Sequence, residues 1–239
     1  LAEKYPGNSH FSYILNTDVN GENTRTSIHQ PASGDMSVEF VENLSLDDIS
    51  AVHFDGRYPN AALALARRCM DLGIPYSVDV ERPREGLLEI LQGATVVICN
   101  SNYCNTILGQ PSINKDDIDP SISAYHLRSV MLEQAPSAII AVVTLGSKGS
   151  CLIKLKGEQW SEEQTIPTFA DEMDTPAVFI QSNCLYCPAF PNIDVVDSTG
   201  AGDAFIGGFL TTLWMSDFSK QKRENQRQGL CPTNLQDLV

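Results

Sequence analysis

Basic residues are scarce in this 239-residue chain: 16 Lys and Arg stand against 30 Asp and Glu, for a formal net charge of −14. Such a chain repels a phosphate backbone, which disfavours nucleic acid, and none is expected as a partner. A small nucleotide is not excluded, because backbone amides and Mg²⁺ can carry that contact. Long apolar runs are missing as well. The longest, such as Ala138 to Val143, are strand-sized, far below the roughly 20 residues of a membrane span, so no membrane partner is expected. Cysteines number 7, an odd count scattered from Cys69 to Cys231. That suits free thiols in a reducing compartment better than a disulfide framework. Cys184 and Cys187 form a lone C-x-x-C with no second pair to complete a zinc ribbon. Pro188 and Pro191 follow where a redox pair would open a helix, so both read as structural thiols. No signal peptide is visible, and the chain opens on Leu1 without a Met. A cytoplasmic protein is expected, with an upstream targeting segment left open.

What is present is a globular composition, with 42% hydrophobic residues, long enough to bury a core. Phe11 to Leu15 and Thr24 to Ile28 are β-prone runs around Asn20-Gly21, a hairpin signal; residues 31–37 read as a loop. From about Leu44 strands and helices alternate. Strands are expected at Ala51–Phe54, Tyr76–Val80, Thr95–Cys99 and Ala138–Thr144. Helices are expected at Pro59–Leu72, Arg84–Leu91, Asn102–Leu108 and Ile122–Gln134. Short buried strands between helices imply a parallel sheet with helices on both faces. The rhythm then breaks. Ser150 to Leu155 reads as an edge strand turning back, Glu158 to Asn183 as a long surface loop, Ile193 to Val196 as a last short strand, and Gly200 to Trp214 as a helix. The whole divides into a β-lid hairpin segment over 11–37 and one α/β core over 38–239.

The most informative stretch is Val195-Val-Asp-Ser-Thr-Gly-Ala-Gly-Asp-Ala-Phe. A strand ends, small residues turn, and a helix begins. Gly200 and Gly202 let the backbone come close to a ligand. The free amides of the first helical turn, backed by the helix dipole, make an anion hole suited to a transferring phosphoryl group. Asp203 alone would pass for a capping residue. Beside such a turn, its carboxylate can take the proton of an attacking sugar hydroxyl. Gly207 and Gly208 within the helix suggest tight packing against a neighbour or ligand. A dinucleotide fingerprint fails, because Phe205 stands where its third Gly belongs, and an NAD-linked oxidoreductase fails with it. No Gly-Lys-Ser/Thr marks a Walker loop. Thr144-Leu-Gly-Ser-Lys-Gly ends a strand at its carboxyl end, where α/β ligands bind, though alone it reads as a β-turn.

The run Asp197-Ser-Thr-Gly-Ala-Gly-Asp-Ala-Phe resembles the second signature of the ribokinase-like (phosphofructokinase-B) carbohydrate kinases. Five further stretches agree in order. Val143 to Gly149 looks like the nucleotide loop, and Ile98-Cys-Asn-Ser lies where the family has Asn-x-x-Glu. Phe54-Asp-Gly-Arg and Asp79-Val-Glu-Arg resemble strand ends of the ketohexokinase-like and plant-type branch, and Asn23-Thr-Arg-Thr its second lid strand. The resemblance runs from about Phe11 to Trp214. It implies a three-layer α/β/α sandwich with a mainly parallel sheet and a small β lid. It implies transfer of the γ-phosphoryl group of Mg-ATP to a sugar hydroxyl, a ketose such as fructose by branch. Asp203 would be the base, and Gly200, Ala201 and Gly202 the anion hole. Thr144, Gly146, Gly149 and Asn100 would border ATP, and Arg25 would reach substrate and phosphate. Asp197 and Thr199 match positions that bind a monovalent cation such as K⁺ in some members. A homodimer would form through the lid strands.

Three departures weigh against full equivalence. Tyr103 stands where Asn-x-x-Glu would place the Glu that positions Mg²⁺. The family's N-terminal sugar-gripping segment has no counterpart, and the chain ends soon after the last helix, so it reads as shortened at both ends. The competing reading is therefore a catalytically impaired relative that binds nucleotide or sugar, or a partner subunit.

Overall fold

The computed structural model describes residues 11–19, 22–30, 36–110, 119–157, 179–181, 184–191, 193–195 and 197–215. Strands β1 (Phe11–Val19) and β2 (Glu22–Gln30) pair antiparallel, from Phe11 opposite Gln30 to Val19 opposite Glu22. The expected Asn20-Gly21 turn lies outside the described residues. Period-two alternation puts Phe11, Tyr13 and Leu15 on one face, with Ile28 across from Tyr13. All four are exposed.

The second sheet has seven strands in the order β3 (Val52–Phe54), β4 (Tyr76–Val80), β5 (Val96–Asn100), β6 (Ile140–Thr144), β7 (Ser150–Lys154), β9 (Cys184–Cys187) and β8 (Phe179–Gln181). The first four are parallel; β7, β9 and β8 then alternate in direction, so that β9 runs with the first four. The connections of the parallel part are α2 (Pro59–Leu72), α3 (Leu87–Gln92), and the pair α4 (Ser101–Ile107) and α5 (Pro120–Gln134); α1 (Val38–Glu42) precedes them and α6 (Ala201–Met215) closes the described chain.

Local chemistry explains these boundaries. Helix α2 starts with Pro59, whose missing N–H costs nothing there, and stops at Gly73, which takes φ 64° and returns its amide to Cys69 and Met70. Asp119 caps α5 by accepting from the amides of Ser121 and Ile122. In the strands, alternate residues serve opposite faces. Val97, Cys99, Ala141 and Val143 meet Ala66, Cys69, Leu91, Leu127 and Met131 of the helices on one side. Val96, Ile98, Ile140 and Val142 meet Leu210, with Phe205, Phe209 and Trp214 of α6, on the other. Helices cover both faces, as the sequence rhythm implied.

Several boundaries differ from expectation. Strand β7 is interior, because β9 pairs along its other side. Among the described residues the last strand is Cys184–Cys187, not Ile193–Val196: residues 193–195 belong to no strand, and Val196 lies outside the described residues. Of the expected 158–183 loop, Phe179–Gln181 is strand, and the rest lies outside the described residues. Helix α3 begins at Leu87 and not Arg84, because Gly86 at φ 73° breaks the path before it.

Candidate active site

The parallel strands end together, and the register sets Val80 beside Cys99 and Asn100 beside Thr144. Val78 and Val80 point into the core of the α2–α5 face, so Asp79 between them faces the side of α6. Below it on that side, His53 Nδ1 lies 2.9 Å from the Ser77 hydroxyl. Burial lowers the His53 ring's affinity for a proton, with Asp55 acting against that. Asp79 is the most perturbed carboxyl of this end. Burial first, then the charges of Glu81, Asp203 and Asp55, push it up to about 6, against a lowering backbone hydrogen bond from Val80. Asp203 is therefore near enough for its charge to be felt at the end of β4. Asp55 and Glu81 have their own cations, Arg57 at 3.4 Å and Arg84 at 3.7 Å. Among the described residues, Asp79 and Asp203 form no ion pair.

The mouth of α6 is built by its approach. Asp197 Oδ1 accepts from the Thr199 amide at 2.8 Å, Gly200 turns at φ 78°, and the Ala201 amide bonds back to the Ser198 carbonyl at 3.2 Å. The first intrahelical bond runs from the Ala204 amide to Gly200. The amides of Gly202 and Asp203 thus sit in the first turn, without an acceptor in the helix and with the positive dipole end behind them. Residues 197–204 are all exposed, and a Cβ on Gly200 or Gly202 would meet nothing within 4 Å. The same holds for Gly207 and Gly208. The expected tight packing around that pair is absent among the described residues, and the two glycines leave one side of α6 open.

After β6, Thr144 donates its hydroxyl to the Cys99 carbonyl at 3.4 Å. A single 3₁₀ turn, Gly146–Lys148, leads to Gly149. Gly146 takes φ 60° with open space about it, whereas a Cβ on Gly149, at φ 95°, would lie 2.1 Å from the Cys187 carbonyl oxygen. The turn is pinned from the same side by Tyr186, whose hydroxyl donates to the Lys148 carbonyl at 2.7 Å.

Asn100 caps α4: its Oδ1 accepts from the Tyr103 amide at 3.0 Å and its Nδ2 donates to the Glu81 carbonyl at 3.3 Å. Tyr103 points away from the strand ends. It is 1% exposed within the α2–α5 core, and its hydroxyl donates to Gln134 at 2.5 Å. Arg25 lies opposite Asn16 on the hairpin. The structure thus gathers Asp79, Asn100 and Thr144 at adjoining strand ends and sets Asp203 within electrostatic reach. Sequence reasoning placed Asp79 at a strand end but gave it no chemistry. Its signal was an acid between two core valines, where the face rule makes it half-buried.

Among the described residues no three His, Cys, Asp or Glu side chains form a ready metal cage. A Mg²⁺ ion carried in on substrate phosphates needs only one or two protein carboxylates, and Asp79 and Asp203, near enough for one charge to act on the other, would be the candidates.

The chain matches the model of the pfkB family carbohydrate kinases over residues 8–221. No curated protein matches it. Solved structures share its fold. Ribokinase from Giardia lamblia is 18% identical with a TM-score of 0.57, covering 85% of this chain and 55% of that one. Ribokinase from Thermotoga maritima is 17% identical with a TM-score of 0.56, covering 89% and 58%. Ribokinase from Arabidopsis thaliana, complexed with ribose and ATP, is 18% identical with a TM-score of 0.54, covering 88% and 58%. The chain therefore spans a little over half the length of these relatives.

Proposed function

The chain belongs to the pfkB family of carbohydrate kinases, and from that premise we propose that it transfers the γ-phosphoryl group of ATP to a sugar hydroxyl at the mouth of α6. One observation carries this reading: Asp203 stands in the first turn of α6 beside amides with no helical acceptor, and its charge acts on Asp79 at the end of β4. Phosphoryl transfer needs little covalent help from a protein. It needs alignment and neutralisation of the charge that spreads over the equatorial oxygens. The amides around Gly200, Ala201 and Gly202 supply the second, and the Asp203 carboxylate takes the proton of the attacking alcohol.

Other residues take supporting roles in this reading. The Thr144–Gly149 turn borders the nucleotide, with Asn100 beside it. Arg25 of the hairpin would reach substrate and phosphate. Mg²⁺, when bound, would neutralise the phosphates, and Asp79 is the second carboxylate at hand. Asp197 and Thr199 would flank a monovalent cation such as K⁺. The apolar face of the hairpin, with Phe11, Tyr13, Leu15 and Ile28 exposed, would pair two copies. Sedimentation of the protein and of Leu15→Lys tests this, and a monomeric parent refutes it.

The test of the main reading is ATP turnover against a panel of sugars, ketoses included, with Asp203→Asn as the variant. Loss of a general base predicts a fall in kcat of about 10²–10⁴-fold. A variant with full activity would end the assignment. The second reading, a nucleotide- or sugar-binding relative or partner subunit without turnover, is favoured by Tyr103, which puts a core side chain where the family places its metal-positioning Glu. It predicts nucleotide binding with no turnover, unchanged by Asp203→Asn.

A further inference from the structure

The turn between β6 and β7 is closed on itself. The Lys148 amide bonds to the Leu145 carbonyl at 3.2 Å, the Gly149 amide to the Gly146 carbonyl at 3.0 Å, and the Leu145 amide to the Gly149 carbonyl at 2.8 Å. Leu145 is buried in the α2–α5 core, whereas Gly146 and Ser147 are exposed. Bonds within a turn fix its shape but not its tilt on the strands that carry it. A second element sets that tilt. Tyr186 of β9 stands opposite Cys151 in the register, and it packs against the same core. From there its hydroxyl donates to the Lys148 carbonyl at 2.7 Å. The residues that follow it, 187–189, run so close beside the turn that a Cβ on Gly149 would meet three of their backbone atoms at 2.7 Å or less.

We propose that Tyr186 is a positioning residue for the nucleotide: its ring, held by the core, is a strut whose hydroxyl fixes the Lys148–Gly149 peptide and so holds the Thr144–Gly149 turn in the arrangement that receives ATP. This rests on the reading of that turn as the border of the nucleotide.

The geometry separates such a role from packing alone. A stiff aromatic side chain loses little freedom when held, and an O–H···O distance of 2.7 Å is the usual optimum for a hydroxyl. The ring supplies the packing and the hydroxyl supplies the link to the turn, so the two can be removed one at a time. Without the link, the turn divides its time among several tilts, and the apparent affinity for nucleotide falls with the fraction of time spent in the competent one. The hydroxyl is committed to a carbonyl and moves no proton in the transfer. Its loss therefore weakens ATP binding and leaves the chemical step as it was.

The experiment compares Tyr186→Phe, which keeps the ring, with the parent full chain. Calorimetry measures binding of the β,γ-imido analogue of ATP with Mg²⁺, and steady-state kinetics with the sugar selected from the panel measures kcat and both KM values. Analogue affinity should fall about three- to tenfold, the scale of one hydrogen bond. KM for ATP should rise by the same factor, with kcat and the sugar KM unchanged. Tyr103→Phe is the control. It loses a hydroxyl bond to Gln134 instead, and it should bind the analogue as the parent does. Equal analogue affinity in Tyr186→Phe and the parent overturns this proposal alone, and a parent that binds no analogue overturns the nucleotide reading with it. Weakened analogue binding in a protein that turns over no sugar supports the strut and removes the transfer reading. Should Tyr186→Phe fold poorly, hydrogen exchange of the parent decides. By reciprocity the analogue should slow exchange at 184–187 as well as at 145–149, and protection of the turn alone overturns the strut.

Discussion

Replacing Gly149 by alanine puts a methyl group where another stretch of chain already runs. The added Cβ would sit 2.1 Å from the Cys187 carbonyl oxygen, 2.6 Å from the Ala189 amide nitrogen and 2.7 Å from the Pro188 carbonyl carbon. These are backbone atoms, so no rotamer change relieves them. Gly149 also holds φ 95° and ψ −131°, a region open to glycine and costly for other residues by about 1–3 kcal/mol. Pushing the end of β9 aside adds an overpacking cost of roughly 1–3 kcal/mol. A total near 4 kcal/mol converts to a fall in Tm of about 8–16 °C for a chain of this size. Gly146→Ala is the matched control. Its φ of 60° brings strain of about 1–2 kcal/mol, but its Cβ would meet nothing within 4 Å. Thermal melts followed by circular dichroism compare the two directly. If Gly149→Ala melts no lower than Gly146→Ala, the crossing of 187–189 over this turn does not fix the residue type.

Asp79→Asn should stabilise the protein at neutral pH. The Asp79 carboxyl is raised to about 6 from its ordinary 3.8, so the folded state holds its proton longer than the unfolded chain does. The burden of burying that charge grows as pH rises from about 4 to 6 and is fully present above. After screening by solvent the gain is about 1–2 kcal/mol at pH 7.5 and nothing below about pH 4; urea melts at both pH values check it, and an equal gain at both refutes the cause. Tyr103→Glu restores the family's residue type but sends a carboxylate into the α2–α5 core, so it should cost about 4 kcal/mol or more and rescue no activity. Tyr103→Phe, which loses only the hydroxyl bond to Gln134, should cost about 1–2 kcal/mol; a stable Tyr103→Glu protein with higher turnover would contradict the placement of this side chain.

Most of the parallel core was legible because short-range rules agreed with long-range packing. Pro59 and Gly73 bound α2 as expected, and Tyr76–Val80 emerged at its expected limits. The misses have a common physical origin. Arg84 continues a helical composition, yet Gly86 adopts a left-handed turn that composition alone does not compel. The strand β9 was overlooked because Cys184-Leu-Tyr-Cys is short and closely followed by Pro188 and Pro191, and its strand character comes from pairing with β7 and β8, partners that no local pattern names. Ile193 to Val196 had the better strand composition, but residues 193–195 have no partner in the sheet.

The candidate site divides along the same line. Asp203 and the glycines before it could be read from sequence because one contiguous turn creates them. Asp79 could not, because its character arises first from burial and then from the charges of Glu81, two residues on, Asp203 of α6 and Asp55 at the neighbouring strand end. Tyr103 shows the converse. Motif spacing puts it in the site, but α4 begins at Ser101 and rotates it into the core, where Gln134 takes its hydroxyl. A position counted along the chain locates a Cα; the burial of the helix face decides whether its side chain reaches the chemistry. On that ground Asp79, and not residue 103, is the carboxyl position through which this chain would adjust the charge at the mouth of α6.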